Sequence, residues 1–563
     1  MSKLHRSAPR RFTELVFLPL GGTGEIGMNC SLYGLGAGKR RQWIMVDLGV
    51  KFGDERDPGI DVILPDTGFI EADRRNLLGI VLTHAHEDHM GAAPWLWRKL
   101  RAPIYCTPFT AELLKGKLIE ANLLDEVKLN VVPMGARFPL GPFDIEYVAV
   151  THSLPEPNAI AIRTPLGTVV HTGDWKIDRQ PTIPPDFDET RMREIGNEGV
   201  RAVVGDSTNV LREGFSPSES EVEASLARII KTSPGRVAIT TFASHVGRFT
   251  SAIRAARATG REVVMAGRAM RNVVEAARSV GLLKDSGPLL DEDAFGFLPR
   301  DKTLVLCTGS QGEPRAAMSR IAEDTHPNIA LEAGDIAILS SRVIPGNEKA
   351  VAAVVNALAW RGVEIIGGEE ALVQTSGHPR QGEIKLLYSW LKPEVVVPVH
   401  GEMRHLKRHE SFARECGVAE AVAAVNGDVV RLAPGPAAII DKVTAGRLHV
   451  DGKLIVPALD GPAKLRRKLS YGGIVMVSLV LDEAGDLIGE PTILTDGLPR
   501  YSDMGEPFDA SLLDKVDQAI SAMPQARRRE DGPVIEIARG AVRRQADALW
   551  GKKPVCRVVV HRV

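Results

Sequence analysis

The sequence predicts an α/β protein of several domains: a strand-rich first section, a block of alternating strands and helices, and a small C-terminal α+β unit. Three observations carry this. Short apolar strands separated by glycine-rich turns run from Leu15 to about Asn209. From about Ser216, strand and helix alternate with short connections, the pattern of parallel βαβ units. A strand of the first kind then returns at EVVVPVHG, residues 394–401.

The elements follow in order. SESEVEASLARIIKTSPG reads as a helix, VAITTFAS as a strand and HVGRFTSAIRAARATG as a helix. EVVMAG is a strand and RAMRNVVEAARSVG a helix, and the alternation continues through KTLVLCTG, GDIAILSS and the helix NEKAVAAVVNALAWRG. IVPALDGPAK has the proline and glycine of a linker. Beyond it, GGIVMVSLVL and VCRVVVHRV read as strands, and SLLDKVDQAISAM and GAVRRQADALW as helices.

Composition bounds the function. The 563 residues, with 44% apolar and 25% charged, fit a globular chain of about three or four domains. With 70 basic and 71 acidic side chains, there is no global pull toward nucleic acid, although a local basic groove stays open. No apolar run approaches the roughly 18–20 residues of a membrane span, and the basic start, MSKLHRSAPRRFTEL, lacks a secretory apolar stretch. Five scattered cysteines, an odd number with no C-x-x-C pair, favour reduced thiols in the cytoplasm and argue against a thiolate zinc site.

The strongest signal is THAHEDHMG at 83–91. His84, His86, Asp88 and His89 form H-x-H-x-D-H between a buried-strand run, GIVL, and a helical stretch, APWLWRKL. Alternate positions in an extended segment point the same way, so His84 and His86 can share a face. Imidazole with carboxylate suits zinc, manganese or iron. A chance polar loop is outweighed: three histidines and two acids fall within six residues of a chain with 14 histidines. Asp47, His152, Asp174, Asp206 and His400 each end a strand-like run. Singly, such residues are more often caps. Open sheets gather ligands at strand carboxyl ends, so together they are expected to converge.

H-x-H-x-D-H followed by His152, Asp174 and His400 resembles the metallo-β-lactamase fold of metal-dependent hydrolases. GDST at 205–208, TSGH at 375–378 and PVHGE at 398–402 resemble motifs A, B and C of its β-CASP nuclease branch. LPLGGTGEIGMN, TFAS and SSRVIPGNE resemble the bacterial ribonuclease J family, from about residue 15 to 455. The resemblance implies a metallo-β-lactamase αββα sandwich (1–215 and 373–454), an inserted β-CASP α/β domain (216–372), a linker (455–464) and a C-terminal α+β domain (465–563). It also implies two divalent metal ions, zinc or manganese. His84, His86 and His152 would hold one, and Asp88, His89 and His400 the other. Asp174 would bridge them, and Asp47 would orient the imidazoles.

Two such cations promote in-line displacement at phosphorus. By resemblance, His378 is the expected acid for the leaving oxygen, oriented by Asp206; its bland alternative is a turn histidine beside Gly377 and Pro379. Ser244 lies between a strand run and a helix run, a natural N-cap, and helix N-termini attract anions. By resemblance, Ser244, His245 and Val246, with Gln374, Thr375, Ser376, Gly377 and His378, would contact substrate phosphates. TGSQGEPR reads as a plain turn rather than an anion nest. Arg466-Arg467-Lys468 and Arg527-Arg528-Arg529 read as solvated surface rather than RNA contacts.

The function expected is a two-metal ribonuclease, a 5′→3′ exonuclease with endonuclease activity in RNA decay and maturation. The resemblance implies RNA as the partner and a homodimer or homotetramer through the C-terminal domain; no membrane is expected. The rivals are a DNA-directed β-CASP nuclease, a thioester hydrolase of glyoxalase type and an inactive RNA-binding scaffold. Cleavage of matched RNA and DNA oligomers separates them.

Overall fold

The computed structural model describes residues 13–344, 346–459 and 461–563; most of the basic N-terminal stretch lies outside them. The chain divides into two compact units, one formed by Phe52–Ile63 with Arg447–Val563 and the other by the remainder.

The larger unit holds two facing sheets. Eight strands are ordered Ala438–Lys442, Asp428–Ala433, Leu15–Gly21, Cys30–Leu35, Gln42–Val46, Leu77–Val81, Ile104–Cys106, Leu129–Val131. Seven are ordered Arg137–Leu140, Phe143–Ala149, Asn158–Thr164, Gly167–His171, Ala202–Asp206, Val395–Val399, Glu420–Ala421. Side-chain alternation explains the layering. Ile160, Ile162, Val204 and Val397 face inward, packing with Phe17, Tyr33, Ile44 and Val46 of the other sheet. Their neighbours Ala159, Ala161, Val203 and Val396 face outward, under Ile195, Leu387, Trp390 and Phe412. Helices Glu189–Glu198, Gln381–Leu391 and Met403–Glu415 supply those covering residues. Each such aliphatic side chain contributes about 1.5–3 kcal/mol on burial. The expected αββα sandwich is present.

Five parallel strands form a separate sheet, ordered Glu262–Ala266, Thr303–Cys307, Val237–Thr240, Ile336–Leu339, Glu364–Ile366. Helices Glu219–Thr232, Val246–Ala258, Arg268–Ser279 and Glu348–Trp360 connect or flank them. This block is an insertion. Val395–Val399 returns to pair, parallel, with Ala202–Asp206, in the register Val204 to Val397. The chain leaves the sandwich after Asp206 and re-enters it with helix Gln381–Leu391, ahead of the strand that leads to His400.

In the smaller unit, Ile474–Leu481 lies between antiparallel Thr492–Asp496 and parallel Val555–Arg562. Val475, Val477, Leu479 and Leu481 pack with Leu512, Val516 and Ile520 of helix Phe508–Ser521 and with Val534, Ala538 and Val542 of helix Asp531–Trp550. Two expectations need correction here. The stretch 455–464 is not an unstructured linker: it carries most of the strand Leu454–Pro457 and the start of helix Pro462–Gly472. Pro462 sits in that helix's first turn, where proline is a start signal rather than a spacer. The last helix starts nine residues before the expected Gly540, because Pro533 falls in its first turn and displaces no hydrogen bond. Among the described residues, no helix is long and apolar enough to cross a membrane.

Candidate metal centre

Strand Leu77–Val81 delivers Thr83 and His84, and the short helix Glu87–Met90 begins where Asp88 and His89 are needed. The cluster fits into this turn only beside a bare backbone: a Cβ on Gly49 would lie 1.7 Å from the Asp88 carbonyl oxygen. Strands Gly167–His171, Ala202–Asp206 and Val395–Val399 bring Asp174, Asp206 and His400 to the same sheet end. Asp47 and His400 hold φ of +63° and +53°, sparsely populated values for such side chains and a strain of about 1–3 kcal/mol each.

Two groups result, sharing Asp174. His84, His86, His152 and Asp174 have their donor atoms within 4.8 Å of one another, and so do Asp88, His89, Asp174 and His400. His86 Nδ1 is 3.1 Å from His84 Nε2 and 3.2 Å from His152 Nε2. His400 Nε2 lies 3.2 Å from Asp88 Oδ2, and His89 Nε2 3.3 Å from Asp174 Oδ2. Tetrahedral bonds of about 2.0 Å place neighbouring ligand atoms about 3.3 Å apart, so the donor set fits a cation in each group. A third set, Asp174, Asp206, His378 and His400, meets the same limit. There, however, His378 Nδ1 is bonded directly to Asp206 Oδ2, at 2.7 Å.

Most of these imidazoles are held from behind, which fixes the nitrogen they present. His152 Nδ1 donates to the Gly377 carbonyl at 2.6 Å, leaving Nε2 as the donor atom for a cation. His89 Nδ1 donates to Asp47 at 2.7 Å, and Asp47 also accepts from the Thr83 amide and hydroxyl. Thr83 Oγ1 also meets His84 Nδ1 at 2.9 Å, and Thr208 Oγ1 meets His400 Nδ1 at 2.7 Å. Asn29 bridges the Asp88 carbonyl and His89. Thr83, Thr208 and Asn29 were not singled out in the sequence, although each lies in a motif quoted from it.

Charge divides the site. Burial, then the neighbouring histidines, pushes His84 and His152 well below the usual imidazole value, and burial lowers His86 to about 4. Burial opposes charge on His89 and His400 too, but carboxylates led by Asp174 outweigh it and hold both well above that value. His378 is raised in the same way, chiefly by Asp206 and then Asp174.

The expected phosphate contacts are placed unevenly. Gln374, Thr375, Ser376, Gly377 and His378 form a partly exposed loop beside the centre. Ser376 Oγ accepts from Asn209 at 2.7 Å, and Thr375 Oγ1 donates to the Pro217 carbonyl. A Cβ on Gly377 would come within 2.4 Å of His152, so that position admits only glycine. Ser244 is not the N-cap. His245 is, because its Nδ1 accepts from the Arg248 amide at 3.2 Å. The His245 and Val246 side chains are buried, and Ser244 alone of the three is partly exposed. Arg466 pairs with Asp451 and Arg528 with Asp486, as solvated surface charges do.

Residues 29–259 match the metallo-beta-lactamase superfamily and 234–358 the ribonuclease J beta-CASP domain. Residues 364–422 match the Zn-dependent metallo-hydrolase RNA specificity domain and 464–563 the ribonuclease J C-terminal domain. Ribonuclease J of Sinorhizobium meliloti is 50% identical over 98% of each chain. Ribonuclease J of Thermus thermophilus is 35% identical over 85% of this chain and 84% of that one. A solved structure of a protein of unknown function from Enterococcus faecalis V583 shares the fold, with a TM-score of 0.51 at 15% identity over 74% of this chain and all of that one. The rival readings, of a DNA nuclease, a thioester hydrolase or an inactive scaffold, are not favoured. The chain belongs to the ribonuclease J family of metal-dependent ribonucleases.

Proposed function

We propose that this chain hydrolyses RNA phosphodiesters at two neighbouring divalent ions, zinc or manganese. In this reading it acts as a 5′→3′ exonuclease that also cuts internally, in RNA decay and maturation. The convergence of seven residues from distant parts of the chain on two groups that share Asp174 carries this reading. Ions about 3.5–4 Å apart would supply an activated water and neutralise the charge that develops on the phosphoryl group.

The chain's own residues do the rest. Asp47, Thr83, Thr208 and the Gly377 carbonyl hold the imidazoles in one orientation. Asp206 occupies His378 Nδ1, so His378 Nε2 carries the proton that passes to the leaving 3′-oxygen. Asp206, and then Asp174, outweigh burial and raise His378 above the usual imidazole value, which favours that proton. The loop from Gln374 to His378, with Ser244, faces the substrate's phosphates.

We also propose that copies pair through the C-terminal unit, as a dimer or tetramer. Its sheet leaves Met476, Leu494 and Val559 exposed on the face away from the two helices. We place the activity in the cytoplasm, in keeping with five unpaired thiols. Digestion of matched 5′-monophosphorylated and 5′-triphosphorylated RNA, with metal analysis of the same sample, tests the reading. Intact RNA in the presence of manganese or zinc would sink it.

A further inference from the structure

Three arginines stand at the edge of the candidate centre. Arg212 follows the turn after Asp206, Arg342 the strand Ile336–Leu339, and Arg380 the loop that carries His378. Among the described residues, none of the three forms an ion pair. Other arginines of this unit do pair with carboxylates. Arg163 and Arg191 share Glu146, and Arg236 and Arg300 share Asp335.

The three are held to one another and to the centre. Arg342 Nη1 donates to Asn209 Oδ1 at 3.0 Å, and Asn209 Nδ2 donates to Ser376 Oγ at 2.7 Å and to the His378 carbonyl at 3.2 Å. The Arg212 amide donates to the Asn209 carbonyl, and the Arg212 carbonyl accepts from the Gln381 amide, one residue past Arg380. Gln311 fixes the third loop: its Nε2 donates to the Arg342 carbonyl at 3.0 Å and its Oε1 accepts from the Ile344 amide at 2.8 Å. TGSQGEPR thus serves as a brace rather than an anion nest. Burial, then the charges of Arg212 and Arg380, makes Arg342 less basic than usual. The buried Nε of Arg380 has no partner.

Like charges held this close oppose folding unless an anion repays the cost. Guanidinium groups match the oxygens of a phosphate in pairs. We propose that Arg212, Arg342 and Arg380 form a subsite for a backbone phosphate of the RNA strand other than the one being cut. This rests on the ribonuclease reading. The subsite lies one hydrogen-bonded residue, Asn209, away from His378 and sets how the strand enters or leaves.

Arg212→Gln and Arg342→Gln remove exposed charges that support no fold contact beyond Asn209. Steady-state cleavage of 5′-hydroxyl and 5′-monophosphorylated oligoribonucleotides is measured across a salt series, with Arg543→Gln, on an exposed helix position, as a charge-matched control in the C-terminal unit. Each variant is expected to raise KM by roughly tenfold and leave kcat within about twofold, and to reduce the salt slope by about 0.7. A change with both substrates supports the backbone subsite, and a change confined to the 5′-monophosphorylated substrate assigns the arginines to the terminal phosphate and overturns it. Unchanged KM and slope, or an equal loss in Arg543→Gln, overturns it. Binding of the same oligonucleotides to chelator-treated protein reads the subsite without turnover, so a wild type that fails to cut RNA is told apart from a subsite that does not exist.

Discussion

The two groups around Asp174 differ in kind. The His84, His86 and His152 side presents imidazoles that burial and mutual repulsion keep uncharged. The His89 and His400 side is surrounded by Asp174, Asp88, Asp47 and Asp206, which outweigh burial and raise both imidazoles well above their usual value. The first side is a set of neutral nitrogen donors, ready for a cation at neutral pH. The second carries fixed negative charge that protons or a metal must balance. Asp174 belongs to both, so the difference is one of surroundings rather than of separate pockets.

Six substitutions test that contrast, in order of expected effect. Asp174→Ala removes the shared carboxylate and should abolish hydrolysis with loss of metal from both groups, read by metal analysis. Asp88→Ala or His89→Ala should abolish hydrolysis but keep part of the metal, because the imidazole group is left whole. Equal metal loss in Asp88→Ala and Asp174→Ala would erase the distinction between the sides. In both cases the protein should stay folded by circular dichroism, since these residues lie at loop and strand ends of a formed scaffold.

His378→Ala should lower kcat by about 10²–10⁴-fold with metal content near wild type, the usual range for a general acid. Metal loss in that variant would instead place His378 among the ligands, in the third group that includes Asp206. Asp47→Asn should weaken metal binding by about 10–100-fold, the range for a residue that orients ligands. Asp206→Asn is the mildest probe. Asp206 raises His378, so removing its charge lets His378 lose its proton at lower pH, and the alkaline limb of kcat should move to lower pH.

The sequence showed the chemistry-bearing positions because histidine and aspartate at the ends of apolar runs are rare and conspicuous. His84, His152, Asp174 and His400 were legible for that reason. Thr83, Asn29, Thr208 and Asn209 were not. They are small polar residues, and their value lies in contacts with groups far away in the chain, such as Asn209 with Ser376. Ser244 was misread as a cap because serine is the commoner choice, whereas here an imidazole nitrogen one residue later accepts the helix amide. Pro462 was taken for a spacer because proline marks both linkers and helix starts.

The inserted block also bears on the timing of activity. Asp206 emerges from the ribosome long before its neighbour across the sheet, the strand that ends at His400. A partly synthesised chain therefore holds most of its cutting groups but cannot close the second half around them. Until His400 is in place, the group of Asp88, His89, Asp174 and His400 lacks a member, so the insertion makes that half of the centre the last to be completed.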